Sequence, residues 1–227
     1  LGDNLYGGVD ELVVLPGENV GEPDVVMIHN ASVGLRVTRD QGATWETPTG
    51  LASVTSVRTL QTLADATHTI VVWAQTSYAG NAPALFASID YGRTFVMRYQ
   101  TAVAGNSDAW IPRSGPGATA TVYSALRGRI YRSTNGGSNF TALALIDGTA
   151  TDAVLTGSEA GSPTLYVALK LGSAWKIYRS DDGGVSASLV HTPTDFWGEM
   201  CASTLDASTV MYGGVEVFRS TNGGANF

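Results

Sequence analysis

Cysteine is almost absent. Cys201 stands alone among 227 residues, so no intrachain disulfide can form and a cysteine-based zinc site is excluded. Lysine is nearly as scarce, with only Lys170 and Lys176 among the thirteen Lys and Arg residues. Against twenty Asp and Glu this leaves a net charge of −7. Nucleic acid and anionic membrane both call for a cationic face, so neither is expected as a partner. No apolar run approaches the roughly 20 residues that cross a bilayer, so membrane insertion is not expected. The chain starts at Leu1 without an initiating Met or a basic, apolar leader, which reads as a processed product or a piece of something longer. The three histidines, His29, His68 and His191, lie far apart without ligand-like spacing. Asp181-Asp182 lacks the Asp-x-Asp-x-Asp-Gly pattern of a calcium loop. No glycine-rich phosphate loop follows a strand and opens a helix. No metal or cofactor is therefore expected.

What remains is a well-built apolar chain. Apolar residues make up 44% and charged residues 15%, which excludes a disordered segment. A chain this long buries about 70% of its unfolded surface without help from staples. Its length suits a single domain, residues 1–227. Glycine (27) outnumbers proline (8), so tight turns are frequent.

One short pattern recurs five times. It reads Thr38-Arg39-Asp40-Gln41-Gly42-Ala43-Thr44-Trp45, then Ser88-Ile89-Asp90-Tyr91-Gly92-Arg93-Thr94-Phe95. Ser133-Thr134-Asn135-Gly136-Gly137-Ser138-Asn139-Phe140 follows. The fourth is Ser180-Asp181-Asp182-Gly183-Gly184-Val185-Ser186-Ala187, which lacks the final aromatic. The fifth is Ser220-Thr221-Asn222-Gly223-Gly224-Ala225-Asn226-Phe227. Successive copies start 50, 45, 47 and 40 residues apart. Each has the chemistry of a hairpin turn. Asp or Asn bonds the backbone just beyond itself, and the hydroxyl does the same more weakly. Glycine takes the positive φ that other residues avoid, so Gly136→Val is expected to destabilise. The closing aromatic is expected to fold back as an apolar plug.

Each turn is preceded by two runs rich in β-branched and aromatic residues, the strand signature. Each period thus reads as four strands. In the second these are Val54–Leu63, Thr69–Gln75, Ala84–Ser88 and Phe95–Gln100. Four strands every ~40–45 residues predict an all-β fold, a β-propeller of four-stranded antiparallel blades. The blades cover residues 1–50, 51–100, 101–146, 147–193 and 194–227, the last incomplete.

The turn pattern resembles the Asp-box, or bacterial neuraminidase repeat. Such boxes occur in sialidases, sortilin-type receptors, xyloglucan-degrading glycoside hydrolases and photosystem II stability factors. The resemblance implies that the boxes are structural, on the face away from the usual ligand site. Their defining residues are Asp40, Gly42, Trp45, Asp90, Gly92, Phe95, Asn135, Gly137, Phe140, Asp182, Gly184, Asn222, Gly224 and Phe227. The fold hosts many activities, so it does not name one. The strand count favours five blades of a six- to eight-bladed protein over a closed five-bladed ring, which would need Leu1–Tyr6 as its closing strand. An unpaired strand at the end would be an open edge that invites another chain.

The resemblance places the loops between blades, and those between the second and third strands, on the ligand face. Asp108-Ala109-Trp110 and Asp195-Phe196-Trp197 each lie 25 residues before a box serine, and Glu199 follows the second. This reads as the same blade position, just ahead of a first strand. A carboxylate beside an indole suits a sugar: the ring stacks on Trp110 or Trp197 and hydroxyls bond the acid. Two carboxylates roughly 5–9.5 Å apart could hydrolyse a glycosidic bond, which makes Asp108, Asp195 and Glu199 the candidate acids. The competing reading makes both tryptophans inter-blade wedges and both aspartates turn caps. Tyr78 and Asn81 lie in the longest loop of this kind, Thr76–Pro83, suited to a partner.

A sialidase is disfavoured. Trp110-Ile111-Pro112-Arg113 lacks the arginine of the Arg-Ile-Pro motif that the resemblance would require, and Arg132, Arg179 and Arg219 read as solvated strand residues beside box serines. A xyloglucanase has two large propellers, which this length does not hold. Asn30-Ala31-Ser32 and Asn139-Phe140-Thr141 match the glycosylation sequon at chance frequency. The leading expectation is a non-enzymatic binding or scaffolding module for a protein or glycan, secreted, periplasmic or at the cell surface. A glycoside hydrolase-type propeller and a structural subunit pairing through open blade edges are the alternatives.

Overall fold

The computed structural model describes residues 11–30, 34–51, 54–62, 70–76, 83–100, 107–110, 121–135, 138–159 and 163–227. All regular structure among them is β. The chain forms two compact units, residues 1–104 with 115–119 and residues 105–114 with 120–227.

The first unit holds two antiparallel meanders. One is β1 (Glu11–Leu15), β2 (Val25–Asn30) and β3 (Gly34–Thr38); the other is β4 (Val54–Thr62), β5 (Ile70–Thr76), β6 (Pro83–Ser88) and β7 (Val96–Gln100). The second set falls within a residue or two of its sequence-predicted bounds, because runs of β-branched and aromatic residues between Gly, Ser, Asn and Asp mark it. The first sheet has no fourth strand among its described residues. Beyond its turn only Val37 and Glu46 bridge. Pro48 lacks an N–H for a ladder, and the chain instead crosses to the next sheet, where Thr49 pairs with Thr94. Leu15, Met27, Leu35 and Val37 pack with Val57, Leu60, Phe86 and Phe95 in one core.

The second unit holds three meanders. They are β8 (Ser107–Trp110), β9 (Val122–Leu126), β10 (Arg129–Ser133) and β11 (Thr141–Leu145); then β12 (Asp152–Ser158), β13 (Thr164–Leu171), β14 (Ala174–Ser180) and β15 (Ser188–His191); then β16 (Met200–Ala202), β17 (Val210–Gly213) and β18 (Val217–Ser220). The period of two decides how they stack. On β13, Leu165, Val167 and Leu169 face a core with Tyr123, Ala125 and Ile130, while Tyr166 and Ala168 face the opposite core with Val210 and Tyr212. Each large side chain so buried contributes about 1.5–3 kcal/mol. β12 touches both β8 and β16, so the first strands of these sheets are neighbours. The fourth strands β11 and β15 stay largely exposed.

The five recurrent turns share one hydrogen-bond network. The first hydroxyl donates to the third residue's Oδ1, at 2.8 Å for Thr38–Asp40, 2.6 Å for Ser88–Asp90, 2.8 Å for Ser133–Asn135 and Ser180–Asp182, and 2.9 Å for Ser220–Asn222. The hydroxyl oxygen of Thr38, Ser88, Ser180 and Ser220 in turn accepts the N–H of Gly42, Gly92, Gly184 and Gly224. Oδ1 of the third residue accepts the N–H of Thr44, Thr94, Asn139, Ser186 or Asn226. The hydroxyls are buried, so these bonds satisfy groups that water cannot reach. The four glycines have φ between 79° and 90°. Gly136 and Gly137 lie outside the described residues.

The closing aromatics do not act alike. Phe95 is buried as a plug, whereas Trp45, Phe140 and Phe227 are half-buried. Of the arginines beside the turns, Arg219 is exposed as expected, but Arg179 is not. Arg179 is half-buried, bonds Asp181 at 2.8 Å and lies 5.7 Å over the Tyr166 ring. A methyl group on Gly223 would collide with its guanidinium, so Arg179 reaches the turn of the following sheet. Arg39 does the same in the first unit, donating to the Tyr91 carbonyl at 2.7 Å. A planar, multi-donor cation suits this bridging better than lysine.

Candidate functional site

The carboxylates of the turns are held for structure. Asp182 is lowered to about 2, chiefly by the Ser186 hydroxyl and N–H. Asp40 is lowered in the same way by Thr44 and Thr38. At Asp90 burial pulls upward most strongly, yet the bonds from Ser88 and Thr94 together bring it down. On the same edge of the first unit, Glu18 bridges Arg93 at 2.6 Å and Arg39 at 3.0 Å beside a cleft of about 470 Å³ lined also by Asn19, Glu22 and Asp40. Here burial raises Glu18 most, but the two arginines outweigh it and the net shift is downward. The arginines are already occupied, so this cleft is a staple. Among the described residues no group of three or more His, Cys, Asp or Glu is placed to hold a metal ion.

The opposite edge of the last sheet is built differently. The loop from β15 to β16 meets the β17–β18 turn, because antiparallel pairing sets the start of β16 beside the end of β17. Trp197 N–H donates to the Gly213 carbonyl at 2.9 Å, and Gly213 N–H donates to the Glu199 carbonyl at 3.0 Å. Asp195 Oδ2 accepts the Val215 N–H. A methyl group on Gly214 would lie 2.7 Å from that oxygen, so only glycine allows this approach. Phe196 is buried against Trp175, with ring centroids 4.7 Å apart, and against Tyr212 at 5.6 Å. Burial raises the Tyr212 hydroxyl, and the Asp195 charge adds to the rise.

Trp197 points the other way and is 69% exposed, the one exposed aromatic among the side chains described. At ~25 cal/mol per Å² and roughly 150–250 Å² per tryptophan, leaving it uncovered forgoes about 3 kcal/mol. Glu199, two residues on, is exposed, and so is Glu216 next to Val215. The wedge of this loop is thus Phe196, which sequence reasoning passed over between Asp195 and Trp197. No pattern in a loop announces which of two adjacent rings turns inward.

The two Asp-x-Trp segments are not equivalent. Trp197 opposes Gly213, seven residues before Ser220, whereas Trp110 pairs with Tyr123, ten residues before Ser133. Asp108 and Trp110 therefore lie within β8 instead of ahead of it; their side chains are outside the described residues. β12 lies between β8 and β16, so Asp108 falls on a different sheet from Asp195 and Glu199, which share the loop before β16. Tyr78, Asn81 and His68 lie outside the described residues. His29 is buried on β2, and His191 packs 4.5 Å from Phe227 and 5.9 Å from Tyr212, where burial lowers its pKa.

Comparison with solved structures finds the same fold. A GH74 xyloglucanase from Xanthomonas campestris matches with TM-score 0.64 and 21% identity over 86% of this chain and 28% of its own. An ancestral GH74 enzyme matches with TM-score 0.71 and 14% identity over 96% of this chain and 31% of its own. A Hadza microbial sialidase matches with TM-score 0.50 and 20% identity over 91% of this chain and 44% of its own. The sheets are β-propeller blades. The chain spans less than half of each of these three neighbours. No protein-family model and no curated protein matches the sequence. Among the described residues no helix is long and apolar enough to cross a membrane.

Proposed function

We propose that this chain supplies Asp-box propeller blades that hold a polysaccharide outside the cytoplasm, with Trp197 as the stacking platform. One observation carries the reading: an indole left 69% exposed on a loop fixed by three backbone hydrogen bonds, those of Asp195, Trp197 and Gly213, and by the buried ring of Phe196. Sugar rings present apolar C–H faces that cover an indole, and their hydroxyls find acceptors in exposed carboxylates such as Glu199. The five turns with one shared network support the Asp-box assignment, and the glycoside hydrolases that share the fold support a glycan over a protein. Glycan retention is tested by affinity electrophoresis on xyloglucan, polygalacturonate and a sialylated glycan. Trp197→Ala is expected to lower retention at least tenfold without changing the melting temperature. Unchanged retention would reject the platform.

Hydrolysis is the second reading, favoured by the glycosidases that share the fold. It would draw on a candidate acid other than Asp195, whose Oδ2 already accepts the Val215 N–H, and Glu199 on the same loop is the one tested. Release of reducing ends that Glu199→Gln abolishes would establish it.

A further inference from the structure

The Asp195 carboxylate joins two segments that the sequence keeps 20 residues apart. Its Oδ2 caps the Val215 N–H, and Gly214 passes so close that any side chain there would displace it. The adjoining bonds, Trp197 N–H to the Gly213 carbonyl and Gly213 N–H to the Glu199 carbonyl, run on either side of Trp197. The indole thus hangs from a short bridge anchored by Asp195 before it and by Gly213 on both flanks. Phe196, turned inward between them, fixes the peptide so that Trp197 must turn outward.

We infer that Asp195 is a positioning residue that sets the orientation of the Trp197 platform through the Gly214–Val215 turn, and that it does not touch the glycan. This rests on the reading of Trp197 as the stacking surface. The chemistry makes a sharp distinction. Capping an N–H needs only an acceptor oxygen at the Oδ2 position, which an asparagine supplies. Proton transfer or charge-dependent binding needs the carboxylate itself.

Four variants decide the matter: Asp195→Ala, Asp195→Asn, Gly214→Ala and Trp197→Ala. Each is assayed for retention on xyloglucan, polygalacturonate and the sialylated glycan, for thermal melting and for hydrogen exchange at the Val215 amide. Asp195→Ala is expected to weaken retention about tenfold and to raise exchange at Val215, with the melting temperature within a few degrees of the parent. Asp195→Asn is expected to restore both retention and protection. Gly214→Ala is expected to mimic Asp195→Ala, since it drives the carboxylate off the turn. If Asp195→Asn is as impaired as Asp195→Ala while Val215 stays protected, the carboxylate contacts ligand and the positioning role is overturned. If Trp197→Ala weakens retention but Asp195→Ala does not, the platform stands and the positioning role falls. If the parent retains none of xyloglucan, polygalacturonate and the sialylated glycan, the platform reading fails, while Val215 exchange in Asp195→Ala and Asp195→Asn still decides whether the carboxylate holds the turn.

Discussion

Gly184 of the fourth turn abuts Ile130 of the preceding sheet. A methyl group at Gly184 would lie 2.8 Å from Ile130 Cγ2 and 3.2 Å from Leu143 Cδ1. Its carbonyl also accepts the Ala144 N–H at 3.0 Å. Gly224 repeats the contact one sheet on, against Val190. The recurrent turn is therefore a joint between sheets as well as a hairpin.

This separates two costs of replacing glycine. Gly42 and Gly184 have φ of 87° and 90°, but the nearest atom to a methyl group on Gly42 is 3.9 Å away, on Trp45. Gly42→Ala is expected to cost about 1 kcal/mol, the left-handed penalty alone. Gly184→Ala adds overpacking and is expected to cost about 2–4 kcal/mol. Urea unfolding of both variants checks the order. Equal losses would mean that the sheet joint is loose.

Ser180→Ala removes a buried hydroxyl that donates to Asp182 and accepts from Gly184. The Gly184 N–H is then buried without that acceptor, at a cost of about 1–3 kcal/mol. Ser180→Thr keeps the oxygen and is expected to recover part of the loss. Thr38 fills the equivalent place in the first turn. The comparison is read from the urea midpoint.

Acid should loosen the fold in two steps. His191 has its folded pKa lowered by burial, so its neutral form is the one the fold prefers. Its contribution is full above the unfolded value near 6.5 and fades as pH falls through the lower folded value. Asp182 and Asp206 are lowered to about 2, so their contribution is full above the unfolded value of about 3.8 and disappears as pH drops toward 2. Denaturation midpoints taken from pH 7 to pH 2 are expected to fall across both windows. Asp182→Asn, which keeps the acceptor Oδ1, should flatten the lower one.

Tyr166 is fully buried and its hydroxyl donates to the Ala207 carbonyl at 2.6 Å, tying β13 to the loop before β17. Tyr166→Phe keeps the ring packing and loses this bond. A loss of about 1 kcal/mol is expected, with faster hydrogen exchange in residues 203–209. Uniform exchange across the second unit would show that the bond does not anchor the loop.

The strands and turns were legible because their signals are local. The Ser/Thr-x-Asp/Asn spacing places acceptor and donor within one hairpin, as Ser88, Asp90 and Gly92 show. The apolar run Thr164–Ala168 marked β13 as a strand, while the two cores its faces enter were set by the sheets on either side. The candidate site was legible only in part. Asp108 and Asp195 match in residue type and in distance from a serine, yet a three-residue difference in register separates them. Register depends on pairing with a distant strand, which spacing along one chain does not encode.

Sequence alone determined the all-β class and the five turns, since hydrogen bonds within eight residues and runs of β-branched and aromatic residues suffice for those; the three-stranded first sheet was not foreseen. Tertiary structure alone decided that Phe196 turns inward, that Trp197 faces solvent, that Asp195 caps Val215 and that Arg179 clasps the next turn. Those outcomes depend on which neighbour arrives at van der Waals distance, and the neighbours lie tens of residues away.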